Sequence, residues 1–107
     1  DGLKDVAIVP EALDGCVSTW AQYTIRIGNG RRDAVAEVLK AQGIPTAIYY
    51  PKPLHHQTAY RDYPSAGNGL PVSDTIAKEV LSLPMHPYLA ADLQDRIIDA
   101  ARVAITG

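Results

Sequence analysis

From Ser18 to Ile27 the chain alternates. Thr19, Ala21, Tyr23, Ile25 and Ile27 face one way, and Trp20, Gln22, Thr24 and Arg26 the other. A period of two over ten residues predicts the longest strand, with its apolar face laid on helices and its other face turned to water or a partner. Val6 to Pro10 is a second strand candidate, placed at an edge because Pro10 closes it. Between them Glu11 to Cys16 is a turn with Asp14-Gly15 at its tip, a hairpin signal. After Gly28-Asn29-Gly30 the period lengthens. Val35, Val38 and Leu39 form the inner stripe of a helix from about Arg31 to Gln42, with Asp33 complementing the positive end of its dipole.

Gly43 ends that helix, because a residue without Cβ enters the left-handed cap cheaply. Thr46 to Tyr50 is short, β-branched and aromatic, which predicts a strand in which Tyr49 and Tyr50 point to opposite faces. Pro51 and Pro53 then remove backbone donors, so Lys52 to Gln57 must leave the sheet as an ordered loop. Thr58 to Leu70, with Tyr60, Tyr63, Pro64 and Gly67-Asn68-Gly69, is loop chemistry. Pro71 opens a helix from Val72 to about Val80, in which Ile76 and Val80 stand one turn apart. Leu81 to Met85 is a short buried strand or extended link. Leu93, Ile97, Ala101 and Ile105 mark a last helix, about Ala91 to Ile105. The order predicts one α+β domain: a small, mostly antiparallel sheet of three to four strands packed with about three helices.

Composition narrows the function classes. The 107 residues are 47% hydrophobic and 21% charged, as in ordinary globular chains. A net charge of −2 with interspersed signs argues against nucleic acid, which needs a clustered basic face. No apolar run approaches the ~20 residues of a membrane span, and no signal peptide is visible. Cys16 is the only cysteine, so no internal disulfide forms and a cytoplasmic, reducing setting is expected. The start at Asp1, without methionine, suggests a piece of something longer.

Candidate chemistry gathers between Tyr49 and Gln57, at a strand end where polar groups are often used on a ligand. His55 and His56 are adjacent and expected to point to different sides, and His86 is the only other histidine. A zinc site needs three or four ligands at defined spacing, so no metal site is assigned. His55 either serves a ligand or only hydrogen-bonds the loop's own backbone. Arg26, Arg31 and Arg32 could grip carboxylates two-pronged, but solvated charge is the simpler account. The glycines at 28 and 30 fit neither the dinucleotide fingerprint nor a Walker loop, and are read as a plain turn.

Residues 49–57, Tyr-Tyr-Pro-Lys-Pro-Leu-His-His-Gln, resemble the Tyr-Pro-x-Pro-Leu-His-x-Gln signature in the C-terminal part of the DegT/DnrJ/StrS sugar aminotransferases. Ala21-Gln22-Tyr23-Thr24-Ile25, Arg32-Asp33 and Leu81-Ser82-Leu83-Pro84-Met85-His86-Pro87 agree in order and spacing, so the resemblance covers roughly Val17 to Arg102. It implies a C-terminal small domain, residues 1–107, of a pyridoxal phosphate (PLP) enzyme of fold type I. The intact enzyme would move an amino group from glutamate, or glutamine, to a keto-sugar nucleotide, acting as a homodimer. Tyr49, Tyr50, Pro51 and His55 would lie near the nucleotide-sugar, with His55 rather than His56 as the structured histidine. Arg32 matches the family's Arg-Asp pair, read mainly as helix-start structure. PLP chemistry needs a Schiff-base lysine, a carboxylate at the pyridine nitrogen and a phosphate cup. Lys4, Lys40, Lys52 and Lys78 do not match the family's cofactor lysine, which belongs to the preceding large domain. The fragment alone is therefore expected to hold no PLP and to be inactive. A stand-alone ligand-binding module, a dimerisation domain, and a PLP-dependent dehydratase relative are the alternatives.

Overall fold

The computed structural model describes residues 1–107. Its elements are β1 (Tyr23–Arg26), α1 (Arg32–Ala41), a 3₁₀ turn (Leu54–His56), α2 (Pro71–Glu79), β2 (Val80–Leu83) and α3 (Ala91–Thr106). The class is α+β with three helices, as expected. The sheet is smaller than the pattern predicts: β1 and β2 pair antiparallel and form its only two strands.

The two missing strands survive as single bridges. Ile8 pairs with Arg26 on the outer side of β1, and Ala47 pairs with Ser82 on the outer side of β2. The Val6–Pro10 candidate fails because residues 2–6 fold into a turn, in which the Val6 and Ala7 amides both donate to the Leu3 carbonyl. The ten-residue strand fails at Trp20. Its φ of +48° lies in the left-handed region, which breaks extended backbone and leaves only Tyr23–Arg26 paired. A turn does form at Asp14-Gly15, with the Cys16 amide bonded to the Leu13 carbonyl and Gly15 at φ +77°. It joins exposed irregular chain rather than paired strands, so it makes no hairpin.

α1 ends in a Schellman motif. The Ile44 amide donates to Leu39 O, the Gly43 amide donates to Lys40 O, and Gly43 stands at φ +73°. The motif turns Ile44 back beside Leu39 in the core. Val38, expected on the inner stripe, is exposed instead; it lies about 100° around the helix from Leu39, and the buried face is Arg32, Val35 and Leu39. In α3 the buried set is Ile97, Ala100, Ala101, Ala104 and Ile105. Leu93, in the first turn, is exposed. The small alanines let α3 lie close to α1, and both helices cover one face of the strands. Ile25, Leu39, Leu81 and Val35 are the largest side chains sealed there.

Val80 belongs to β2 rather than to α2, and all four residues of β2 are buried. The far face of β1, expected to meet water or a partner, is half-exposed, and its polar side chains also bond within the chain. Thr24 Oγ1 and Ser82 Oγ lie 2.7 Å apart across the ladder, and Arg26 donates from Nε (2.9 Å) and Nη2 (2.7 Å) to Glu79 Oε2.

Arg31 and Arg32, expected to be solvated, are likewise structural. Arg31 donates to the Ile105 and Ala104 carbonyls, closing the C-terminus of α3. Arg32 is buried and donates from Nη1 to Ala77 O and Val80 O, both at 3.1 Å, where α2 passes into β2. Arg102 grips Asp5 with two nitrogens (2.5 and 2.7 Å) and also reaches Gly2 O, tying the N-terminal turn to α3.

Candidate functional site

A groove of about 860 Å³ opens between the chain leaving the Ala47 bridge and the outer face of α2. Its volume falls in the range of small-molecule pockets. Tyr49, Tyr50 and His55 line it; Pro51 does not. Tyr60 and Tyr63 from the loop, and Ser73 and Ile76 from α2, complete the walls. None of those last four was expected from sequence to meet a ligand, although two tyrosines three residues apart in a proline- and glycine-rich loop are the kind of aromatic signal that marks a ligand wall.

Tyr49 and Tyr50 do not split between core and surface. Both are exposed, 47% and 71%, and their ring centroids lie 5.8 Å apart edge to face. The alternation fails because a single bridge at Ala47 pairs this segment, so no pleat carries on to residues 49 and 50. A cis peptide joins the two. Tyr60 and Tyr63 form a second aromatic pair, centroids 6.0 Å apart. The groove thus offers four phenol rings whose faces and hydroxyls suit a flat or polyhydroxylated ligand.

The histidines also depart from expectation. Leu54–His56 is a 3₁₀ turn, in which neighbours are spaced about 120° apart rather than the 180° of a strand. The two rings lie 4.3 Å apart, and both Nε2 atoms meet Asp74 Oδ1, at 2.8 Å from His55 and 2.7 Å from His56. His55 is the more enclosed side chain, 17% exposed against 55%. Its Nε2 partner is thus a side chain of α2 rather than the loop's own backbone.

Asp74 sits in the first turn of α2, where the helix dipole favours a carboxylate. Partial burial works to raise its pKa, but the hydrogen bonds from His56 and His55, with their charges, prevail and hold it below the ordinary carboxylate range. An ionised carboxylate only accepts, so both Nε2 atoms carry the proton and donate.

The lysines do not make a PLP site. Lys4 and Lys40 are exposed and paired with Asp1 and Glu37. Lys78 is exposed on α2, and Lys52 lies exposed on the groove's lip. Asp74, the carboxylate beside the groove, is already held by both histidines. The residues present do not fit the cofactor by themselves.

A family model described as the DegT/DnrJ/EryC1/StrS aminotransferase family matches residues 1–102. A UDP-2-acetamido-2-deoxy-3-oxo-D-glucuronate aminotransferase of Pseudomonas aeruginosa is 51% identical over 88 residues, 81% of this chain and 23% of the relative. A dTDP-3-amino-3,4,6-trideoxy-alpha-D-glucose transaminase of Micromonospora megalomicea is 38% identical over 113 residues, covering all of this chain and 30% of the relative. Among solved structures, an aminotransferase from Brucella abortus superposes with a TM-score of 0.91 at 51% identity, over 99% of this chain and 28% of that one. The chain therefore spans about a quarter of the length of the proteins it matches.

Proposed function

The chain belongs to the DegT/DnrJ/EryC1/StrS aminotransferase family, and on that premise we propose that it is the C-terminal small domain, residues 1–107, of a PLP-dependent sugar aminotransferase. The intact enzyme takes the amino group of glutamate, or glutamine, and delivers it to the keto group of a nucleotide-linked sugar. It works in the cytoplasm as a homodimer. The aromatic groove ending at His55 carries this reading.

When bound in the intact enzyme, PLP supplies the amine acceptor and electron sink; the lysine and phosphate cup come from outside this chain. What this chain contributes is binding and orientation. Tyr49 and Tyr50 present ring faces to the sugar and hydroxyls to its polar edge, and Pro51 holds the backbone behind them at a fixed φ. His55 cannot swing, because Asp74 holds its Nε2. In the neutral ring the opposite nitrogen, Nδ1, is then an acceptor for a sugar hydroxyl. Covering the sugar on this side excludes water and keeps the keto carbon in one orientation, the usual source of rate from a domain without chemistry of its own.

Visible absorption of the intact enzyme containing this chain, beside the 107-residue chain alone, tests the reading. The expected result is a Schiff-base band in the intact enzyme only, bleached by glutamate or glutamine and restored by a keto-sugar nucleotide. Absence of the band from the intact enzyme overturns the assignment.

A further inference from the structure

His55, His56 and Asp74 carry an inference that does not depend on the aminotransferase reading. One donor atom from each lies within 4.8 Å of the other two. The 3₁₀ turn holds the two imidazoles on the same side, and α2 holds the carboxylate from the opposite wall. Three protein donors this close together match the donor count of an open zinc site.

We propose that His55 Nε2, His56 Nε2 and an Asp74 carboxylate oxygen form a binding site for a borderline divalent transition metal, Zn²⁺ first among them. Two imidazoles and one carboxylate favour Zn²⁺, Ni²⁺ and Cu²⁺ over Mg²⁺ and Ca²⁺, which take all-oxygen sets. Ligand atoms around tetrahedral zinc, each about 2.0–2.1 Å from the ion, lie roughly 3.3 Å apart. The Nε2–Oδ1 distances of 2.8 and 2.7 Å therefore need to open by about half an ångström, and the two Nε2 atoms, which lie within 4.8 Å of each other, to settle at the same separation. The metal takes the place of the two shared protons, each imidazole moving its hydrogen to Nδ1, so in the metal-bound state His55 Nδ1 donates to a sugar hydroxyl instead of accepting from it. The bound ion would bridge the 3₁₀ turn to α2. Because Leu54 and His55 stand on one side of the groove and Ser73 and Ile76 on the other, the ion would set the width of the groove's mouth.

The test is calorimetric titration of the full 107-residue chain with Zn²⁺ in a non-chelating buffer at neutral pH. Parallel titrations use Mg²⁺ and the variants His56→Ala, Asp74→Asn, Cys16→Ser and His86→Ala. The last two remove the remaining cysteine and histidine of the chain. The expected result is one Zn²⁺ per chain, unchanged in Cys16→Ser and His86→Ala. Affinity should fall more than about tenfold in His56→Ala and in Asp74→Asn, with no Mg²⁺ uptake at the same concentration. His56 is exposed, so its variant keeps the fold and decides the matter even if Asp74→Asn does not fold. As a second readout, Zn²⁺ should raise the melting temperature of the parent chain but not of His56→Ala. No Zn²⁺ binding, binding that persists in His56→Ala, binding lost in Cys16→Ser or His86→Ala, or equal uptake of Mg²⁺ each overturns the proposal.

Discussion

Arg32 has two roles at once: it opens α1 beside Asp33 and threads its guanidinium back to the carbonyls of Ala77 and Val80. Arg32→Ala leaves two buried carbonyls without their donor, so stability should fall by about 1–3 kcal/mol, measured by urea unfolding. An unchanged midpoint would show that water replaces the guanidinium at no cost. The groove residues should behave in the opposite way. In the intact enzyme Tyr50→Ala or His55→Ala should lower sugar turnover by about ten- to a hundredfold, the loss of roughly 1.4–2.8 kcal/mol of transition-state binding. Tyr50 is largely exposed, so its melting temperature should scarcely move. Equal losses of turnover and melting temperature would mark the tyrosine as structural. Residue identity was readable here: Tyr49, Tyr50 and His55 stand out in the sequence and line the groove. Asp74 was not readable, because its partners are 18 and 19 residues away and nothing local links them.

At the scale of elements, helices were easier to foresee than strands. The bounds of α1 and α3 lie within a residue of their patterns, because a helix satisfies its backbone locally. The contrast between Leu39 and Val38 tests the observed face. Leu39→Ala should cost about 2–5 kcal/mol in chemical denaturation, whereas Val38→Ala should stay within about 0.5 kcal/mol. Equal costs would contradict the burial pattern of α1. Gly43→Ala should cost about 1–2 kcal/mol, since φ +73° crowds a Cβ against the following carbonyl. Full retention of stability would mean that the Schellman turn rearranges. Strands need partners. Val6–Pro10 and Thr46–Tyr50 have the composition of strands, yet each keeps a single bridge, because the turn at residues 2–6 and the loop after Tyr50 carry their backbones away.

Across the whole molecule, ion pairs join segments far apart in sequence. Asp5 is held below the ordinary carboxylate range, first by its hydrogen bonds from Arg102 and then by its own backbone bond, which with the arginine's charge outweigh the opposing effect of desolvation. Asp74 is depressed by the histidines. A carboxylate whose folded pKa is lowered adds stability that is complete above its unfolded pKa and disappears as pH falls through the folded one. The stability gap between the parent chain and Asp5→Asn should therefore be constant near neutrality and shrink below about pH 4. Urea midpoints across that range measure it; a gap that does not vary with pH would remove the ion pair from the account.

By itself the sequence determined the class, the three helices, the left-handed end of α1 and the family. These follow from periodicity, from the missing Cβ of Gly43 and from ordered motifs, all of which are properties of residues near one another in the chain. Tertiary structure alone decided that two strands rather than three to four make the sheet, that Arg26, Arg31 and Arg32 bind structure rather than solvent, and that His55 and His56 converge on Asp74. Each of those depends on which distant backbone carbonyl or side chain arrives alongside, and that is set by packing α1 and α3 on the strands and α2 against the loop.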